Sequence, residues 1–252
     1  MVIYYSIVIF IFGLILGSFY TVVGERLPND ESIVRPPSHC PNCGHRLNFY
    51  ELIPVFSFIF LKGKCLKCKS KIPILSTLIE ILTGSLFVIA YLKFGLSIQF
   101  AIAIVFISML VIVIVSDIRY MLICDEVLII GSILIFILKT IESGIKYSLS
   151  CIGYGIICFI VMYLIKKIGD IIFKRESMGG GDIKLMFVFG LTIGIASSIA
   201  SIFLASFIGL PISLILIKKN TSHEIPFGPY LSIAALILYL TQFDVINMLI
   251  NM

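Results

Sequence analysis

IQFAIAIVFISMLVIVIVS, residues 98–116, carries no charged side chain, and Asp117 follows it directly. As a helix rising ~1.5 Å per residue, such a run nearly matches the ~30 Å hydrocarbon core of a bilayer. A soluble core would have to cover it on every side, and this chain has little polar surface to offer. Its residues are 60% hydrophobic and 13% charged, with a mean hydropathy of +1.13. Comparable runs lie at residues 4–23, 74–91, 127–138, 147–165, 185–195, 199–217 and 230–250. The pattern predicts an all-α polytopic membrane protein of about eight transmembrane helices. The runs at 127–138 and 185–195 are short for a crossing, which predicts tilt or local thinning there.

The net charge of +5 is not spread as a nucleic-acid-binding surface would require. Lys and Arg gather in four segments, near residues 24–72, 117–126, 166–184 and 218–229, which the positive-inside rule places in the cytoplasm. The first basic residue, Arg26, comes after the opening apolar run, so the N-terminus has no basic lead of a cleaved signal. That run therefore reads as a retained span, with both chain ends outside. Three regions follow: a first transmembrane helix over 1–23, a polar cytoplasmic subdomain over 24–72 and a transmembrane domain over 73–252. Within the subdomain, the apolar run Leu52–Leu61 is too short to span and suits a small core or an interfacial contact.

Four of the seven cysteines stand in that polar loop as two CxxC pairs, Cys40/Cys43 and Cys65/Cys68, with 21 residues between the pairs. A cytoplasmic loop is reducing, so metal ligation is favoured over disulfides. Two thiolates from each pair complete a closed tetrahedral site, which predicts a structural Zn2+. His39 and His45 flank the first pair as competing ligands. Cys124, Cys151 and Cys158 lie in or beside apolar runs and read as buried small hydrophobes.

Acids at the edge of a membrane are costly and therefore candidates for function. Asp117 closes one span; Asp182 opens another, 65 positions later, behind the run Gly179-Gly180-Gly181. Glycines there let another backbone approach closely. Two converging carboxylates share a proton, one serving as base toward water and the other as acid toward a carbonyl. The chain holds neither HExxH nor an evident serine–histidine pairing. A cation transporter or channel with a regulatory zinc loop is the rival reading; it predicts acids near mid-membrane and inverted repeats.

In combination, these motifs resemble those of type IV prepilin peptidases. Gly17-Ser18-Phe19, Arg26-Leu27-Pro28, the paired CxxC loop enclosing Tyr50-Glu51-Leu52-Ile53-Pro54, and Glu80-Ile81-Leu82-Thr83-Gly84 are similar to the amino-terminal half of that family. Gly179-Gly180-Gly181-Asp182 resembles its GxGD motif, and Pro226-Phe227-Gly228-Pro229-Tyr230 the segment opening its last span. The resemblance implies a membrane aspartic peptidase of the bacterial cytoplasmic membrane that removes the leader of prepilins or pseudopilins on the cytoplasmic face. It also implies methylation of the new N-terminus with S-adenosylmethionine, and it associates the subdomain over 24–72 with that activity. Carried over by motif, Asp117 and Asp182 are catalytic. Gly179, Gly180, Gly181, Asp125 and Lys184 support them, and Glu51 and Glu80 are candidates for the cofactor. Asp117 and Asp125 match the two acids of the family's D-x7-D stretch, but Cys124 stands where the family has proline. The partners implied are the prepilin or pseudopilin substrate and the lipid bilayer, with no nucleic acid.

Overall fold

A computed structural model describes residues 1–218 and 226–242. Among them the chain forms helices and turns with no strand, only two isolated β-bridges. It divides into two compact units, Met1–Leu96 and Ser97–Met252.

In the first unit, α1 (Val2–Arg26) packs along α3 (Ile74–Phe94). Small residues set that contact: a methyl on Gly13 would stand 2.6 Å from Gly84 Cα, and one on Gly17 2.8 Å from Glu80 Cα. Helices in lipid associate through such close packing, because tail and side chain are equally apolar. Between them lies the polar loop with the short α2 (Phe56–Phe60). The Leu52–Leu61 run forms no core. Phe56, Ile59 and Phe60 are all exposed, as suits an interfacial contact.

The second unit holds α4 (Ile98–Tyr120), α5 (Asp125–Ser143), α6 (Ile145–Phe173), α7 (Gly180–Lys218) and α8 (Gly228–Thr241). Local chemistry sets their ends. The Ser97 hydroxyl caps α4 by accepting from Phe100 N–H at 3.3 Å. Asp125 and Glu126 open α5, where the helix dipole favours acids. Gly144, at φ 84°, separates α5 from α6. Phe106, Leu110, Phe189 and Leu231 are fully buried, and the Phe106 ring meets those of Phe189 and Tyr239 edge-on at 5.9 and 5.3 Å.

Among the described residues five helices, α1, α3, α4, α6 and α7, are long and apolar enough to cross a membrane; α8 is a shorter apolar helix. The runs at 185–195 and 199–217, read as separate spans, form two helical stretches of α7 that meet at Gly194 (φ 77°, ψ 175°). The connection expected at 196–198 is helical, because the reversal of conformation needs one glycine rather than a loop. The loop expected at 139–146 shrinks likewise to Gly144, and Lys139 is a buried residue of α5. Residues 219–225 and 243–252 of the last expected loop and span lie outside the described residues.

Candidate active site

Asp117 stands in the last turn of α4, where the Met121 N–H closes the helix on the Asp117 carbonyl at 2.9 Å. Met121 is left-handed (φ 54°) and turns the chain through Ile123 into α5. Asp182 stands in the first turn of α7. The lead-in is folded back on α6: Ser177 N–H and Oγ–H both donate to Asp170 Oδ1, at 2.6 and 2.8 Å. Both acids are buried, 6% and 7% exposed, and the charge of Asp117 acts on Asp182. The fold thus brings together two carboxylates that stand 65 positions apart in sequence.

Ile123 fills the space beside them and explains which glycines the site needs. A methyl on Gly181 would lie 2.8 Å from Ile123 Cβ, whereas one on Gly180 meets nothing within 4 Å. Gly179 faces the acid itself, its added methyl 3.8 Å from Asp182 Oδ2. On the other side α8 begins at Gly228, where a methyl would stand 2.6 Å from Asp117 Oδ2 and 3.4 Å from Ile123 Cδ1. That oxygen is buried and, among the described residues, has no hydrogen-bond partner. One turn along α8 the Ser232 hydroxyl is in the same condition. Gly228 and Ile123 were not singled out as site residues from the sequence. The Pro226–Tyr230 motif was the signal for Gly228; nothing marked Ile123.

Asp125 does not join the buried pair. Lys184 Nζ lies 2.7 Å from both its oxygens, each side chain about half exposed (50% and 51%), tying α5 to α7 at the surface. Cys124, in the family's proline position, has φ −72° and ψ 124°, within the range a proline ring imposes. Burial, then the charges of Glu126 and Asp125, push its thiol up to about 11. It is therefore no nucleophile at neutral pH.

In the first unit the four loop cysteines converge, their sulfurs all within 4.8 Å of one another. Each CxxC forms the same turn. Cys40 N–H donates to His45 O and Gly44 N–H to Cys40 O; Cys65 N–H donates to Ser70 O and Lys69 N–H to Cys65 O. Gly44 and Lys69, in matching places, both have positive φ. A tetrahedral zinc with ~2.3 Å bonds requires sulfurs about 3.8 Å apart. Cys40–Cys68 and Cys43–Cys65 stand at 3.8 and 4.0 Å, so the set can hold a metal ion and is consistent with zinc. The Ser70 hydroxyl and backbone beside Cys68 favour its thiolate, the form a metal binds. Neither histidine competes: His39 Nδ1 is 3.0 Å from Pro37 O, and His45 Nε2 is 3.1 Å from Glu51 Oε2.

Glu51 and Glu80 are both buried. Burial raises the Glu51 carboxyl, but the Asn48 backbone N–H, the His45 ring and the Asn48 amide outweigh it and hold the group below its usual range. These bonds fall on Oε2, and Oε1 is buried without a partner among the described residues. Glu80 Oε2 accepts from Val55 N–H at 2.8 Å, holding a β-branched residue at φ 62°.

The class these features define is a multi-pass membrane protein with a buried pair of acids and a four-cysteine metal loop. Residues 11–94 match the bacterial peptidase A24 N-terminal domain, and residues 104–214 the type IV leader peptidase family. The chain is 35% identical over 248 residues to a prepilin leader peptidase/N-methyltransferase of Bacillus subtilis, covering 97% of this chain and 98% of that one. A protein of the same description from Aeromonas hydrophila is 30% identical, covering 92% of this chain and 88% of that one. One from Myxococcus xanthus is also 30% identical, over 84% of this chain and 63% of the longer relative. No solved structure matches. The chain belongs to the type IV leader peptidase family and is therefore a peptidase.

Proposed function

We propose that this protein cleaves the leader from type IV prepilins or pseudopilins at the cytoplasmic face of the bacterial inner membrane, with Asp117 and Asp182 as its catalytic acids. One observation carries the reading: two acids distant in sequence are both buried, at the ends of α4 and α7, with Ile123 packed against the helix start that carries Asp182 and beside the Gly228 position that touches Asp117. The ionised member takes a proton from water as its oxygen attacks the scissile carbonyl; the neutral member protonates the carbonyl oxygen. When the diol collapses the C–N bond breaks, a hydroxyl proton returns to the second acid, and the amine departs with the proton held by the first. Gly179 leaves room for a substrate backbone beside Asp182, Gly180 borders open space, and Gly181 lets α7 close against Ile123, while the Asp125–Lys184 pair positions α7. The relatives' names support the substrate class. A transporter or channel with a regulatory zinc loop is not favoured for a member of a peptidase family.

The four cysteines hold Zn2+ in this reading. All four positions are filled by protein, so its part is structural. The relatives' second activity brings S-adenosylmethionine, which supplies an electrophilic methyl group. The unpartnered buried Oε1 of Glu51 is an acceptor suited to a hydroxyl or ammonium of that cofactor, and Glu51 fits this use better than Glu80, which is engaged with Val55.

The decisive experiment is leader cleavage in membranes at matched expression. Asp117→Asn and Asp182→Asn each lose at least about 100-fold, the usual worth of a general acid or base, while Asp125→Asn retains most activity. Retained cleavage in the first two variants sinks the assignment. Glu51→Gln is expected to abolish methylation of the product and leave cleavage intact, read by mass spectrometry of the new N-terminus.

A further inference from the structure

The end of the second unit away from the acids holds a cavity of about 490 Å³ that the peptidase reading does not use. Gln99 lines it, and Asp117 lies 18 residues further along the same helix, about 27 Å away at ~1.5 Å per residue. Lys139 lines it from α5 and is only 8% exposed. A buried ammonium needs compensation, and here that is partial. Its Nζ donates to Thr192 O at 3.0 Å, a carbonyl in the last turn before the break at Gly194, and to Cys151 Sγ at 3.5 Å. The Tyr147 ring lies 5.6 Å away. An ammonium has three donors, so one remains, and among the described residues no carboxylate reaches ion-pair distance. Glu142, three residues along the same helix, lines the same cavity. The cavity therefore presents one cation and one anion three residues apart on one helix, each short of a charged partner among the described residues.

We propose that this cavity binds the phosphoethanolamine headgroup of a membrane lipid, its phosphate on Lys139 and its primary ammonium on Glu142. A phosphate answers the remaining Lys139 donor with a charge-assisted bond. A primary ammonium donates hydrogen bonds to Glu142, which a quaternary one cannot. At about 30 Å³ per water-sized group the cavity holds roughly sixteen, enough for the eight or so heavy atoms of the headgroup and the start of the glycerol. Ile102 and Leu238 give an apolar wall for the ester carbons. The inference rests on the membrane fold and on no step of the proposed cleavage.

The test is native mass spectrometry and thermal unfolding of the full chain in detergent. The additions are phosphatidylethanolamine, phosphatidylglycerol, phosphatidylcholine and, separately, soluble glycerophosphoethanolamine. Wild type is expected to hold phosphatidylethanolamine about tenfold more tightly than the other two lipids, the worth of one charge-assisted hydrogen bond. Glu142→Gln brings it down to the phosphatidylglycerol level without weakening phosphatidylglycerol, and leader cleavage stays unchanged. Lys139→Met loses retention of all three; should that variant fail to fold, the Glu142→Gln comparison decides alone. Equal retention of phosphatidylethanolamine by wild type and Glu142→Gln overturns the proposal. So does a soluble ester that raises the melting temperature as far as the lipid does.

Discussion

Gly228 has no side chain to react, yet the Asp117 carboxyl depends on its having none. A methyl there would enter to 2.6 Å of Asp117 Oδ2, and the backbone of α8 would have to retreat. Gly228→Ala is expected to cost about 1–3 kcal/mol by overpacking and, through a displacement of the acid of up to an ångström, about 100-fold in leader cleavage. The glycine run separates the same way: Gly181→Ala strikes Ile123 and loses cleavage, whereas Gly180→Ala, with open space around it, keeps it. Equal losses at the two positions would refute this packing argument. Cys124 gives a pH test. Its folded thiol titrates near 11 rather than the usual ~8.5, so at pH 8 its thiolate fraction is about one in a thousand instead of about a quarter. Alkylation of Cys124 at pH 8 should therefore run more than about 100-fold slower than after denaturation, followed by peptide mass spectrometry. The neutral thiol is the form the fold favours, so this contribution to stability is present below ~8.5 and is lost as pH rises toward 11. The acids were visible in the sequence because charge at a span boundary is conspicuous. Gly228 and Ile123 act only through contacts between helices, which no local pattern announces.

Helix pairing depends on glycines just as closely. On α7, a methyl on Gly190 would stand 2.5 Å from Tyr154 O and 2.7 Å from Gly155 Cα, and one on Gly155 2.8 Å from Phe187 O. These obstacles are backbone and cannot swing aside, so Gly190→Ala should destabilise the second unit by about 1–3 kcal/mol and lower its melting temperature by several degrees, read by thermal unfolding in detergent. An unchanged melting temperature would mean that α6 and α7 are not held at this crossing. The apolar runs showed in advance where helices lie, because a bilayer demands long uncharged segments. Their ends were harder to place. Helices continue past charged residues whenever a partner waits in three dimensions. Lys139, read as marking a loop, lies inside α5 because a carbonyl freed by the break at Gly194 receives its ammonium. The two apolar runs are two helical stretches of α7, as expected, but no loop parts them: one glycine with positive φ does the work expected of a connection.

The division of the whole molecule at Leu96/Ser97 separates two kinds of stabilisation. In the second unit helix packs on helix around buried aromatic rings. The loop of the first unit has almost no core, with Phe49, Phe56, Ile59 and Phe60 exposed, and its two knuckles are joined chiefly through four sulfurs. Metal-binding energy in such a loop is folding energy. The paired CxxC spacing made this legible from sequence alone, whereas the repetition of one hydrogen-bonded turn in both knuckles became visible only in the structure. Removing the metal with a chelator, or replacing Cys65 and Cys68 by serine, should therefore let amides from Cys40 to Lys71 exchange at close to unfolded rates. Exchange in α4 to α8 should stay unchanged, because nothing in that unit's core involves the sulfurs. Hydrogen exchange with mass spectrometry resolves both regions in one experiment. The chemistry should divide with it: on the proposed role of Glu51, methylation of the product fails, since Glu51 and its His45 contact belong to the loop, while the Asp117/Asp182 site retains its geometry. Protection lost in both units together would mean that the metal stabilises the entire fold, and the division at Leu96/Ser97 would then have no energetic counterpart.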